Sequence, residues 1–106
     1  MALEYYVFSG LFVEALCAPL AQVARTAGSC WTHAEARPPG DFDADILRDE
    51  GYGDGFFSRA YIRFDKFQSA AAMAHLKVFV QRLPEPKVVL FQMDPTEQAP
   101  FRDTAL

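Results

Sequence analysis

The segment Phe56–Met93 constrains the fold more than any other part of this chain. It begins with the aromatic and β-branched run Phe56–Phe64, continues through an alanine-rich stretch that ends before Pro84, and closes with the apolar run Lys87–Phe91. Two strand-forming runs that flank a helix-forming stretch predict a strand–helix–strand unit. A similar but weaker signal occupies residues 3–36, and two such units make a βαββαβ sandwich.

The sequence therefore predicts a ferredoxin-like α+β sandwich, with a four-stranded antiparallel sheet that carries two helices on one face. With 106 residues the chain is long enough for one core, so residues 1–106 are taken as a single domain. Residues 38–55 interrupt the pattern as a long acidic segment that contains glycine and proline, and we interpret them as a loop. Their acidic positions do not fit a Ca²⁺-binding loop, which needs a terminal bidentate Glu.

The first helix is indicated by apolar residues that recur on one helical face: Leu16, Leu20, Val23, Ala24 and Ala27. Gly28 follows at the position typical of a helix C-cap, and Ser29–Arg37 is predicted as a second strand. Proline has no amide hydrogen and is tolerated only in a first turn, so Pro19 predicts a helix start close to Leu16.

The second helix is expected to start at Asp65, whose carboxylate can accept hydrogen bonds from the free amides of the first turn, with Gln68 as capping-box partner. A seam of mostly small residues is expected to lie on the sheet: Phe67, Ala70, Ala71, Ala74 and Val78. Phe79 then falls on the opposite face, where either a neighbouring loop or a partner chain would cover it.

Charge and cysteine content exclude several classes of protein. The net charge is −4 and the cations are scattered, which disfavours free nucleic acid as a partner. Glu4 stands where a signal peptide would carry a base, and no run reaches the ~20 apolar residues of a membrane span. Cys17 and Cys30 fit neither a redox pair nor a zinc site, so we expect reduced thiols and an intracellular protein that does not associate with membranes.

The candidate functional surface is the sheet face that points away from the helices. Strand alternation places Ala60, Ile62 and Phe64 against the helices and leaves Phe57 and its alternate neighbours on the other face. The candidate partner-binding residues are Tyr6, Phe8, Arg59, Tyr61 and Arg63. Such an aromatic and arginine-bearing face is either a binding platform or is covered by the chain's own 38–55 segment or C-terminal tail.

The run Ala60–Phe64, followed by a helix, resembles the third strand of RNA-recognition-motif domains. Arg59 occupies the position of the first stacking aromatic in that motif, and Tyr6 occupies the stacking position on the first strand. Stacking two bases requires both aromatic rings, so the resemblance implies the fold more than RNA readout.

The run Ser58–Ile62 with Phe64, together with Pro86–Phe91, is similar to the RNA-recognition-like domain of the up-frameshift adaptor proteins of nonsense-mediated decay. In that family the domain engages a protein partner. The resemblance therefore implies a protein partner rather than RNA.

A second resemblance is to dimeric α+β barrels of the antibiotic-biosynthesis-monooxygenase type. It rests on Gly28–Trp31, on Phe64-Asp65 with Ala70, and on Ala74–Leu76. In that family two sandwiches pair sheet to sheet around a pocket for an aromatic substrate or haem. The resemblance implies that His33 faces the pocket and that His75 flanks it.

No residues have the spacing of a catalytic or metal site, so no catalytic residue, metal or cofactor is predicted. We expect a non-enzymatic module that binds a protein partner, or a second copy of itself, through the outer sheet face. The alternatives are the dimeric barrel enzyme and a small acidic inhibitor of a larger host complex, of the kind that phages encode.

Overall fold

The computed structural model describes residues 2–92 and 102–103. Its elements, in chain order, are β1 (Ala2–Ser9), α1 (Val13–Ala27), β2 (His33–Arg37), α2 (Asp41–Asp49), β3 (Ser58–Asp65), α3 (Ser69–Gln81), β4 (Lys87–Gln92) and β5 (Arg102–Asp103). The strands form one antiparallel sheet in the order β2-β3-β1-β4-β5. The first four strands have the ferredoxin-like order, so the predicted fold class is confirmed, and β5 extends the sheet beyond β4.

The core lies between the sheet and the two helices α1 and α3. Val7 of β1, Ile62 of β3 and Leu76 of α3 are fully buried there. Trp31 closes the end of this layer, because its indole Nε1 donates a hydrogen bond to the carbonyl oxygen of Ala72 at 3.1 Å. A buried indole that keeps its hydrogen bond stabilises the packing without leaving an unpaired donor.

Strand β3 follows the predicted alternation. Ala60, Ile62 and Phe64 are fully buried against the helices, whereas Arg59 and Tyr61 lie on the other face at intermediate exposure. The antiparallel pairing places Tyr61 opposite Tyr6 of β1 on that same face. The register inferred from the sequence is therefore confirmed.

Ile62→Ala is expected to lower the free energy of unfolding by about 2 to 4 kcal/mol, because the fully buried side chain leaves a cavity. Urea denaturation monitored by circular dichroism measures this loss. A change within experimental error would contradict the burial of Ile62.

Helix α1 starts earlier than its proline predicts. It begins at Val13, which places Pro19 in the second turn rather than the first, where its missing amide removes a hydrogen bond to Ala15. The packing of Leu16, Leu20, Val23 and Ala27 in the core holds the helix together across this gap. Gly28 terminates it at φ 57°, as predicted, and a short 3₁₀ turn (Gly28–Cys30) follows where the sequence predicts the start of the second strand.

Helix α3 packs with the opposite face from the one predicted. Its buried residues are Ala72, Leu76, Phe79 and Val80, whereas the predicted seam is on the solvent side, with Phe67 90% exposed and Val78 40% exposed. The helix is apolar on nearly every side, so its periodicity does not distinguish the two faces. The buried face of the helix carries Leu76 and Phe79 in addition to a valine, whereas the predicted seam carries three alanines and a valine within the helix. This difference in apolar area selects the observed face.

Asp65 acts as a cap, as expected, but α3 itself begins at Ser69, after a 3₁₀ turn, and the Gln68 side chain makes no capping hydrogen bond. The Asp65 carboxylate accepts a hydrogen bond from the backbone amide of Phe67 at 2.9 Å, so it caps the 3₁₀ turn Lys66–Gln68 that leads into the helix. At the other end, the Lys87 ammonium donates to the carbonyl oxygens of Val80 and Leu83, which satisfies terminal acceptors of the helix.

The segment 38–55 is not a loop throughout, because α2 occupies its centre. The Asp43 carboxylate accepts a hydrogen bond from the backbone amide of Gly40 at 2.7 Å, which fixes the first turn of the helix. The many acidic residues of the segment obscured a short amphipathic pattern, in which Ile46 and Leu47 face the sheet while Phe42 is 81% exposed. Helix α2, which the sequence did not predict, lies on the sheet face opposite α1 and α3.

Candidate protein-binding surface

We call the sheet face opposite α1 and α3 the outer face. Helix α2 covers one half of it, since the fully buried Phe8 packs with Leu47, Val88 and Leu90 in a second apolar cluster. Ile46, Tyr52 and Phe56 border that cluster. Phe8 therefore lies on the predicted face but beneath the chain's own helix, and its proposed contact with a partner is excluded in this conformation.

A largely buried ion pair joins α2 to β3. The Arg59 guanidinium donates to the Asp43 carboxylate at 2.7 Å, and the side chains are only 21% and 8% exposed, respectively. The same carboxylate oxygen also accepts the Gly40 amide. Arg59 was predicted to bind a partner, but its guanidinium is already paired within the chain and acts to hold α2 on the sheet.

Tyr6 lies at the boundary between the covered and uncovered halves. The Arg59 guanidinium carbon lies 4.7 Å from the centre of its ring, in cation–π geometry, and the centre of the Tyr61 ring lies 5.5 Å away. Burial raises the pKa of the Tyr6 phenol. Tyr6 therefore links the ion pair to the uncovered part of the face.

Tyr61 is the centre of the uncovered half. Its ring lies 5.5 Å from that of Tyr6 and 5.5 Å from that of His33, and its hydroxyl donates to the Glu4 carboxylate at 2.9 Å. Burial, together with this hydrogen bond, raises the pKa of Tyr61 to about 12. The hydroxyl thus keeps its proton at neutral pH, and these contacts hold the ring in place.

Arg63 is the exposed cation of this half. It lines an open concavity of about 670 Å³ with Ala2, Thr32, His33, Tyr61 and Asp65. Within residues 2–92 its guanidinium makes no ion pair, in contrast to the guanidinium of Arg59. We call Glu4, His33, Tyr61 and Arg63 the uncovered patch, since within residues 2–92 they are not part of the cluster beneath α2. The C-terminal tail, the other predicted cover of this face, lies outside the described residues apart from 102–103.

Strand β2 supplies the outer border of this patch. The Glu35 carboxylate lies 3.0 Å from Nε of Arg37 and 3.5 Å from Nε2 of His33. Both contacts are at the surface, where ion pairs contribute about 0 to 1 kcal/mol. These side chains can therefore exchange their partners at little cost.

Among the described residues, no group of three or more His, Cys, Asp or Glu side chains is placed to hold a metal ion. Cys17 and Cys30 are free thiols. His33 faces outward from β2 while His75 lies on α3, on the other side of the sheet, so the two histidines do not meet at one pocket.

None of the helices in the described ranges combines the length and hydropathy that crossing a bilayer requires.

The structure also brings to the outer face residues that the sequence did not assign to it. Asp43 and Leu47 hold α2 on the sheet. Their spacing of four residues within the acidic run was the sequence signal for one buried side of a helix. Glu4 and His33 were not grouped with Tyr61, because their proximity depends on the pairing of three strands that are distant in sequence.

Comparison with known proteins identifies a fold relative and no family. No protein-family model matches the chain. No curated protein sequence matches it. Among solved structures, a similar chain occurs in the CdiA-CT/CdiI toxin and immunity complex from Burkholderia pseudomallei, with a TM-score of 0.64 and 11% identity over 98% of this chain and 99% of the other. At that identity the likeness concerns the fold.

Proposed function

We propose that this chain is a non-enzymatic interaction module that binds a protein partner through the uncovered patch and thereby inhibits it. The observation that carries the proposal is the exposed Arg63 beside the rings of Tyr61 and His33, on a rigid sheet and without an ion pair within residues 2–92. Tyrosine and arginine side chains are enriched among the residues that dominate binding energy at protein interfaces.

The fold relative supports this class of function. Its structure is that of a complex between a toxin and an immunity protein, and the matched chain shares the architecture of this one over almost its whole length. We therefore propose that the partner is a toxin-like protein and that this chain neutralises it. Two free thiols are compatible with the reducing intracellular compartment that belongs to this proposal.

The charge distribution supports a cationic partner. The net charge is −4, and Asp41, Asp45, Asp49 and Asp54 are exposed on and beside α2, which borders the outer face. Complementary charge accelerates association and disfavours other partners, and salt screens it. We expect the association rate with the partner to fall as ionic strength rises.

Helix α2 disfavours the dimeric barrel as an alternative. Two sandwiches that pair sheet to sheet would need the outer face, and Leu47 and the Asp43–Arg59 ion pair hold α2 over half of it. A pocket between two sheets would require α2 to move away and to expose Phe8.

A growth assay tests the proposal. The products of the genes adjacent to that of this chain are expressed singly in a bacterial host, and we expect one of them to arrest growth. Co-expression of this chain should restore growth, and the two purified proteins should form a complex. If no product that arrests growth is neutralised or bound by the chain, the toxin-directed function is wrong.

Tyr61→Ala is expected to weaken that complex at least about tenfold, because it removes the ring at the centre of the uncovered patch. Isothermal titration calorimetry measures the affinity, and a thermal melt confirms that the domain remains folded. Lys77→Ala, at an exposed site on α3, is the matched control and should leave the affinity unchanged. Loss of cooperative unfolding in Tyr61→Ala would instead assign the ring to the core.

A further inference from the structure

Among the described residues, strand β2 leaves one edge of the sheet open. It is the terminal strand and pairs with β3 along one side. In the described part of the chain no backbone hydrogen bond reaches the outer side of His33–Arg37. An open edge presents a row of amide and carbonyl groups that can pair with another strand.

A shallow apolar groove accompanies this edge on the helix side of the sheet. Cys17, Leu20, Ala21 and Ala24 of α1 line it together with Ala34, Glu35 and Ala36 of β2. The exposed residues of α1 beside the edge are Cys17 and Ala21, which are small enough for a second helix to approach closely.

The side chains of β2 are complementary to a second copy of the same strand. His33, Glu35 and Arg37 alternate with Ala34 and Ala36, so the outer face of the strand carries basic, acidic and basic groups in turn. Antiparallel pairing about a two-fold axis at Ala36 places Glu35 of each copy opposite Arg37 of the other. Opposite charges that face each other across strands stabilise the pair, and this register forms two such contacts.

We propose that two copies of this chain pair antiparallel through β2 and form one continuous sheet across a homodimer. The pairing engages the backbone of residues 35–37 on both edges, up to the two prolines that follow β2, and brings the two α1 helices together at Cys17 and Ala21. It exchanges the intrachain contact of Glu35 with Arg37 for the equivalent contact between copies.

This dimer is independent of the proposed function. It joins the sheets edge to edge and leaves Tyr61 and Arg63 of the outer face open on both copies. A negative growth assay would therefore contradict the toxin-directed function and not the dimer. A chain that stays monomeric would contradict the dimer and not the binding of a partner.

Sedimentation velocity over a wide concentration range tests the proposal. We expect a concentration-dependent shift from the 11.9 kDa monomer to a species of twice that mass. Glu35→Arg alone and Arg37→Glu alone place like charges opposite each other at two sites, so each should raise the dimer dissociation constant at least about tenfold. The double variant, Glu35→Arg with Arg37→Glu, should restore dimerisation.

Ala21→Arg adds a test that does not depend on charge pairing in β2. A long side chain in the groove should prevent dimerisation, whereas Gln22→Arg, an exposed position one residue further along α1, adds the same charge and should not. Far-UV circular dichroism confirms that each variant is folded. A monomer at every concentration, or a dimer that none of these variants weakens, would overturn the proposal.

Discussion

Phe79→Ala is expected to lower the free energy of unfolding by about 3 to 5 kcal/mol, because the fully buried phenyl group of α3 fills the core against the sheet. The alanine variant loses the transfer free energy of the ring and leaves a cavity that the surrounding side chains fill only in part. Urea denaturation monitored by circular dichroism measures the loss.

Phe67→Ala is the matched control on the other face of the same segment. Its ring is 90% exposed, so its removal should change stability by less than about 0.5 kcal/mol. The pair of variants separates the two possible faces of α3. If Phe67→Ala were the more destabilising of the two, the helix would pack with the face that its alanine seam predicts.

Asp43→Ala is expected to lower the free energy of unfolding by about 3 to 5 kcal/mol, because it leaves the largely buried Arg59 guanidinium without its counter-charge. The Gly40 amide loses its acceptor at the same time. Release of α2 from the sheet would return Arg59 to water and expose Phe8, so we expect faster amide hydrogen exchange in α2 and increased binding of a hydrophobic dye.

The control for this variant is Asp45→Ala on the same helix. Asp45 pairs with Arg48 at 3.1 Å, but the two side chains are 66% and 57% exposed, so the loss should be less than about 1 kcal/mol. If the two variants had equal stability and equal exchange in α2, the Asp43–Arg59 ion pair would not be what holds the helix on the sheet.

Strand alternation is the part of the fold that the sequence determines most directly. Along β3, bulky apolar residues at every second position specify which side is buried, since a shift of one residue would move Ile62 and Phe64 into water. The antiparallel sheet order then follows from the arrangement of the strand–helix–strand units.

The helices were less predictable, for separate physical reasons. In α3 the apolar residues surround the helix, so the choice of face depends on the volumes of Leu76 and Phe79 against a sheet that only the fold supplies. In α2 the local sequence is too acidic to suggest burial, and the helix is held by Arg59, which lies 16 residues away in the chain from Asp43.

The sequence predicted which face of the sheet carries the candidate site, but not how much of that face is covered. Alternation correctly placed Tyr6, Tyr61 and Arg63 away from α1 and α3. Coverage of Phe8 depends on where α2 lies, which a periodic pattern in β1 does not encode. The position of α2 also determines that Arg59 pairs with Asp43, which lies on that helix and not on either strand beside β3.

NMR of the ¹⁵N-labelled chain with its unlabelled partner tests most directly whether the uncovered patch binds that partner. We expect the largest amide shift changes at His33, Tyr61 and Arg63, with little change at Phe67 and Val78, which lie on the exposed side of the α3 segment. Shift changes confined to α3, with none on β2 and β3, would contradict it.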